Sequence, residues 1–548
     1  MRARALAIRV FVAGGLAGGL ATYGPSQAVR AQAGTGVTME VVSETRHDVS
    51  PALGSLPTVP GVQMEEDAPM PMAVPTPAQL KGIPEAGSAP DTALQTVATA
   101  PNSFASQINN FDGIPVNGGS AGFVAPPDTN GAVGTTQYVQ VVNTAVAVYN
   151  KTNGALQAGP TVIKALWAGF GGDCETRNDG DPVVLFDRIS NRWLITQFAI
   201  GPFVTGSGNF LQCFAVSTTS DATGTYNRYA FNFGNDDFID YGKLGVWPDA
   251  YYMNFNTFNK NGSAFKYGKQ CGFNRAQMVA GQPAQGICFN TPNDAGFLPA
   301  DLEGKTLPPA GAANPFIEIW DIGANGAMAI WPMHLDFATP ANSTFGPARI
   351  VPVAPFGFAP GARVPQLGTT TRLDTLGDRM MFRAAYRNFG AWESLVVNHS
   401  VGSSAQISPR WYEFRAPRSA NPQLFQQGTY APDATFRWMG SIGMDKRGNM
   451  AMGYSASSSS LNPGIRLTGR LRSEPRGFMQ QEMVLLQGSG SQTVRTSGAA
   501  LTRWGDYSSI TVDPVDDCTL WYTTEYIPAN GVFNWNTRII SFKFPNCQ

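Results

Sequence analysis

The chain has 548 residues, 14% charged and 43% hydrophobic, with 60 glycines, 40 prolines and a formal charge of −1 at pH 7. So even a balance excludes a protein that binds nucleic acid or an anionic membrane through bulk charge. Little charge and many turn-formers point to an extracellular all-β protein and away from long helices.

In chain order, residues 1–33 read as a signal peptide. Arg2, Arg4 and Arg9 supply positive charge, Val10–Leu20 is apolar, and Ala31-Gln32-Ala33 fits small-x-small cleavage before Gly34, with Ser26-Gln27-Ala28 a second site. The apolar run is too short for a membrane-spanning helix, so the expected localisation is secreted, extracellular or periplasmic. Removing it removes four arginines and no acid, leaving 34 − 39 = −5. Residues 34–103 follow as a Pro-rich acidic linker or pro-segment. Eight acids face only Arg46 and Lys81, and ten prolines fall between Pro51 and Pro101.

Residues 104–548 form the expected domain. Its signature is an apolar strand, a polar turn and a second apolar strand, as in Val183–Phe198, Lys243–Phe255, Arg372–Tyr386, Ser441–Ser455 and Ser508–Tyr526. The turn residues Asp187, Asp249, Asp378, Asp445 and Asp513 lie 62, 129, 67 and 68 residues apart, and a further unit, Phe316–Met333, fills the long gap. Strand-built repetition at this period predicts a single β-propeller, seven blades preferred and six the alternative. Tyr138–Tyr149 and Thr537–Phe544 are the candidates for closing the ring. The six cysteines suit an exported chain. Locality favours Cys174–Cys213, Cys271–Cys288 and Cys518–Cys547 among fifteen connectivities, the last stapling the closure.

Three groups of residues could carry chemistry. Asp181, Asp240 and Asp506 each stand before an inner strand, and equivalent positions in a propeller lie on one ring. They are read either as a Ca²⁺ site or acid set, or as caps on their own turns. The turn Pro126–Gly131 adds Asp128 and Asn130 as oxygen ligands, without the distal Glu of a calcium loop. Arg437, Arg466, Arg470 and Arg503 stand near Trp438, Trp504 and Tyr507; guanidinium forks grip carboxylates and aromatic rings stack on sugars. Asp506, Tyr507 and the four arginines are thus the catalytic candidates. No cofactor motif and no convincing Ser-His-Asp set occurs.

That arginine–aromatic set resembles sialidases, which carry an arginine triad, an acid and a Tyr–Glu pair on a six-bladed propeller. The turns at Asp445–Gly448 and Asp249–Tyr252 resemble their Asp boxes loosely, with the order of the box broken in each, and the Tyr–Glu pair has no evident place. The phrases Pro126–Gly134, Gly180–Asp187 and Arg503–Ser508 resemble those of exported bacterial propeller-like proteins. This resemblance implies a secreted propeller and no particular activity. The expectation is a monomeric secreted or cell-surface binding module for carbohydrate or protein. A sialidase-like glycoside hydrolase is the alternative, and a structural extracellular protein the second alternative.

Overall fold

The computed structural model describes residues 27–31, 36–56, 90–98, 100–103, 107–116, 124–321, 326–357, 359, 361–402, 405–494 and 500–548. The signal-peptide reading of residues 1–26 lies outside them. Gln27–Ala31, just before the expected cleavage, is a strand paired with Thr38–Val49.

Seven strands line the middle of the molecule: β1 (Asn130–Val133), β2 (Val183–Asp187), β3 (Asp237–Val246), β4 (Ala300–Glu303), β5 (Met380–Asn388), β6 (Phe436–Met444) and β7 (Ser509–Val512). Each packs on the next, and β7 returns to β1. Behind six of them stands an antiparallel sheet. Gln137–Val142, Ala145–Asn150 and Leu156–Val162 back β1, for example, and Met450–Ser458, Leu461–Arg470 and Met483–Leu486 back β6. β4 runs parallel to β5. Its own backing strand, Asn314–Asp321, reaches it through the Asn314 amide, which bonds both backbone groups of Ala300 at 3.0 and 2.8 Å. Because each sheet is covered on both faces, its strands are buried without alternation; every residue of Gln137–Val142, the two glutamines included, is buried. Aromatic pairs fill the seams, Tyr138 on Trp521 at 5.1 Å and Trp438 on Trp504 at 5.7 Å. Among the described residues no helix is long and apolar enough to cross a membrane.

Three expectations change. The Tyr138–Tyr149 stretch is not a closing strand: it folds back on itself as two strands of the β1 sheet. Closure is made by Asn109–Asp112, which pairs with Asn536–Phe542 behind β7. The stretch 34–103 is not linker throughout. Thr38–Val49 is a twelve-residue strand inserted between Tyr226–Asn232 and Gln285–Thr291, joining the β2 and β3 sheets, and Leu94–Gln95 adds to the β5 sheet. The acids that suggested solvation are paired there: Asp48 with Arg228 at 2.6 Å and Glu40 with Lys269. Finally, Asp378 precedes its inner strand, β5, whereas Asp187 ends its strand and Asp445 and Asp513 directly follow theirs.

The cysteines form Cys174–Cys213, Cys271–Cys288 and Cys518–Cys547. The second joins residues directly paired on neighbouring strands. The third ties the turn behind β7 to the C-terminal tail.

Candidate functional site

The inner strands begin with an unusual backbone. Asp128 and Asp181, each two residues before its strand, have φ of 46° and 45°, and Asp506, before β7, has 50°. Tyr241 within β3 and Met439 within β6 have 57° and 55°, each at a bulge in its strand. Left-handed backbone is costly for residues other than glycine and concentrates at functional sites. Asp tolerates it because its short side chain bonds locally. Left-handed residues thus recur before three inner strands and within two others, and three of them, Asp128, Asp181 and Asp506, flank one axial spot.

Asp128, Asp181, Asp506, Lys243 and Tyr507 line that spot. Asn143 ties its first two walls: its Nδ2 donates to Asp128 Oδ1 at 2.8 Å, and its Oδ1 accepts from the Asp181 N–H at 2.8 Å. The Lys243 ammonium lies 4.0 Å from the Tyr507 ring centre and 4.5 Å from that of Tyr241, a double cation–π seat. Arg503 donates to Asp506. Arg379 grips Asp378 in a fork at 2.8 and 2.9 Å and lies over the Tyr241 ring.

Electrostatics follow from burial. Desolvation pushes Asp181 from 3.8 up to about 7, Asp240 adding to the rise while Lys243 and Arg503 oppose it. Asp128 is pushed well up by desolvation and by the charges of Asp181 and Asp506; Asp506 rises too, against the pull of Arg503. Lys243 is pushed down by its own burial. The remaining void is about 10 Å³, room for about one water. Asp506 Oδ1 and Thr129 Oγ1 are buried there without a hydrogen-bond partner, so a water is the natural guest. A sugar ring does not fit.

The donor set does not fit Ca²⁺. A calcium ion needs six to eight oxygens, but Asn130 Oδ1 accepts from the Val184 N–H at 3.0 Å, Asp506 is held by Arg503, and the Lys243 ammonium already sits among the carboxylates. Among the described residues no three His, Cys, Asp or Glu side chains converge as a metal site. Asp240 is a neighbour of Asp181 outside the lining of the void.

The four arginines do not converge. Arg503 belongs to the axial spot. Arg437 lies in the β5–β6 seam, and all five of its N–H donors are consumed, by Glu482, Asp433 and the Thr435 carbonyl at 2.8–3.0 Å. It has none left for a substrate carboxylate. Arg466 shares Glu482 at 4.0 Å and donates to Gln487. Arg470 binds the carbonyls of Glu474, Pro475 and Phe478. Tyr454 donates to Glu482 at 2.8 Å, a Tyr–Glu pair that sequence reasoning missed. Its members lie 28 residues apart, Tyr454 on a strand and Glu482 just before another, and only the folded sheet brings them together. In that buried seam Glu482 holds Arg437.

Sequence reasoning also missed a second place, at the far ends of the inner strands. An open cleft of about 520 Å³ is lined by Phe389 and Trp392 after β5, Lys446, Arg447 and Asn449 after β6, Arg472 and Ser473, and Asn546. The aromatic doublet Phe389-x-x-Trp392 and the basic turn Lys446-Arg447 are visible in sequence, but nothing local says that they meet.

No protein-family profile matches the sequence, and no curated protein does. Solved structures share a loose likeness. A Trypanosoma rangeli sialidase in complex with sialic acid is 12% identical with a TM-score of 0.32 over 67% of this chain, and the match spans about half, 54%, of that enzyme. An ulvan lyase of polysaccharide lyase family 25 is 11% identical, TM-score 0.32, over 80% of this chain and 95% of the lyase. The phage phi92 endosialidase is 7% identical, TM-score 0.31, over 84% of this chain and 69% of its own. Scores at this level carry no argument about activity.

Proposed function

We propose that the chain is an exported seven-bladed β-propeller that acts as a binding module for an extracellular carbohydrate. The closed circuit from β1 through β7 supports seven blades. Three disulfides suit an oxidising compartment. The observation that carries the binding reading is the contrast between the two ends of the inner strands. The axial carboxylates enclose room for about one water, while the opposite end opens into a cleft of about 520 Å³ with aromatic and basic walls, a size and lining suited to a ligand. Hydrolysis at the four arginines is disfavoured because they are dispersed and Arg437 is saturated. The chain is read as a monomer.

A glycan array run beside a glycosidase panel tests this. Retention of one glycan class without turnover is expected. Release of reducing sugar or sialic acid would replace the reading with a hydrolase, and an empty array would remove it.

A further inference from the structure

The cleft beside Trp392 has a built feature that the binding reading does not by itself require. Its cations and rings alternate in a ladder. The Arg472 guanidinium lies 4.0 Å from the Trp392 ring centre; Arg415 lies 5.2 Å from Trp392 and 3.9 Å from Phe425; Arg476 lies 3.8 Å from Phe425. Phe389 stacks on Trp392 at 4.8 Å and 19°. A guanidinium laid flat on a ring keeps its N–H edge outward and loses little freedom when an anion arrives.

The charge balance is one-sided. Arg415 is paired with Glu413 at 2.5 Å. Among the described residues Arg447, Arg472, Arg476 and Lys446 have no carboxylate within 4 Å, and the side chains of Arg447 and Arg472 donate to no protein group. The Lys446 ammonium has only the Asp516 carbonyl, at 3.1 Å. Trp392 Nε1–H is buried and lacks an acceptor. These are donors without acceptors around an open cleft, on a chain whose overall charge is −1.

We infer that this cleft is a subsite for an anionic sugar, one bearing sulfate ester or carboxylate, in a polysaccharide chain. The inference rests on the binding reading above and names its ligand class. Unpaired forks match the paired oxygens of a carboxylate or two oxygens of a sulfate ester. A nucleic-acid partner would call for a basic surface far wider than one cleft, and three disulfides suit an extracellular setting, where polyanionic glycans are available.

The test uses the full chain with dextran sulfate, polygalacturonate, neutral dextran and a short duplex DNA as probes, read by affinity electrophoresis and titration calorimetry. Binding to dextran sulfate or polygalacturonate but not to dextran is expected; which of the two binds separates sulfate from carboxylate. Arg472→Ala and Arg447→Ala each weaken it about tenfold or more, the usual loss for a charge-assisted bond. Arg472→Lys keeps the charge but not the stacked fork and recovers only part. Both arginines are exposed, and unchanged melting checks the fold. Equal affinity for dextran, indifference to Arg472→Ala, or tighter binding of DNA would each overturn the anionic subsite. If dextran binds and Trp392→Ala abolishes it, the binding reading survives while this ligand class falls. If the glycan array and these probes are all empty, both fall.

Discussion

Asp181 shows how burial sets a residue's chemistry here. Its carboxyl is held at about 7 by desolvation first and by Asp240 second, with Asp128, Asp506, Lys243 and Arg503 in the same enclosure. In the folded chain it therefore keeps a proton that the unfolded chain, near 3.8, has already lost. The native state binds more protons between these values, so its stability falls as pH rises from about 4 to about 7. Asp128 and Asp506 are raised and push the same way. The melting temperature is expected to be higher at pH 5 than at pH 8, and Asp181→Asn to remove part of that slope by stabilising the chain at pH 8. An unchanged slope in the variant would assign the dependence to other groups. Arg437 teaches the complementary point. Beside Trp438 it reads in sequence as a ligand fork, but its donors are exhausted by Asp433, Glu482 and a carbonyl.

At the scale of elements, Thr38–Val49 is the part of the chain whose role is least expected. It supplies a shared edge to two sheets, buries Met39 and Val42, and brings Glu44 to accept from the Ala284 N–H at 2.8 Å. Burial of two such side chains is worth roughly 3 kcal/mol or more. A chain beginning at residue 50 should unfold at correspondingly lower denaturant than one beginning at residue 34, with the same spectroscopic signature when folded. Equal midpoints would show that the two flanking sheets hold without it. The strand sets only Met39, Val41, Val42 and Val49 among polar and charged residues, as a solvated linker also would. Its partners, Lys269 and Arg228, are more than 170 residues away, so no local signal reports them.

At the scale of the molecule, the circuit depends on its seam. The last sheet joins an early segment of the chain to a late one, with Asn109–Asp112 outside Asn536–Phe542, Arg538 bonded to Asp112 at 2.7 Å and Cys518 bridged to Cys547. Replacing Asn109–Asp112 entirely by glycine keeps the chain length but removes these side chains and weakens the strand. Amide exchange over Asn536–Phe542 is then expected to quicken on the order of a hundredfold, while β6 is little changed, because sheets open locally from their weakest edge. Unaltered exchange in the last sheet would place the closure elsewhere.

By itself the sequence determined the all-β class, the strand–turn–strand repeat and the radial arrangement of small sheets, because a strand pattern is set by side chains a few residues apart. It also carried the three cysteine pairs, since each joins near neighbours in the chain. It misplaced what depends on distant partners. Asp378 shares its composition with the other turn acids yet precedes its strand, since the phase of a repeat is fixed by which edge finds which neighbour. The closing strand, Asn109–Asp112, has too little apolar pattern of its own and is defined by the edge it meets. Asp128, Asp181 and Asp506 were legible as candidates, but that they enclose Lys243 and a void for about one water was decided only when the inner strands met at the axis. The cleft of Trp392 and Arg472 was decided the same way: its residues come from turns of different sheets, and packing between sheets, not local pattern, sets their distance.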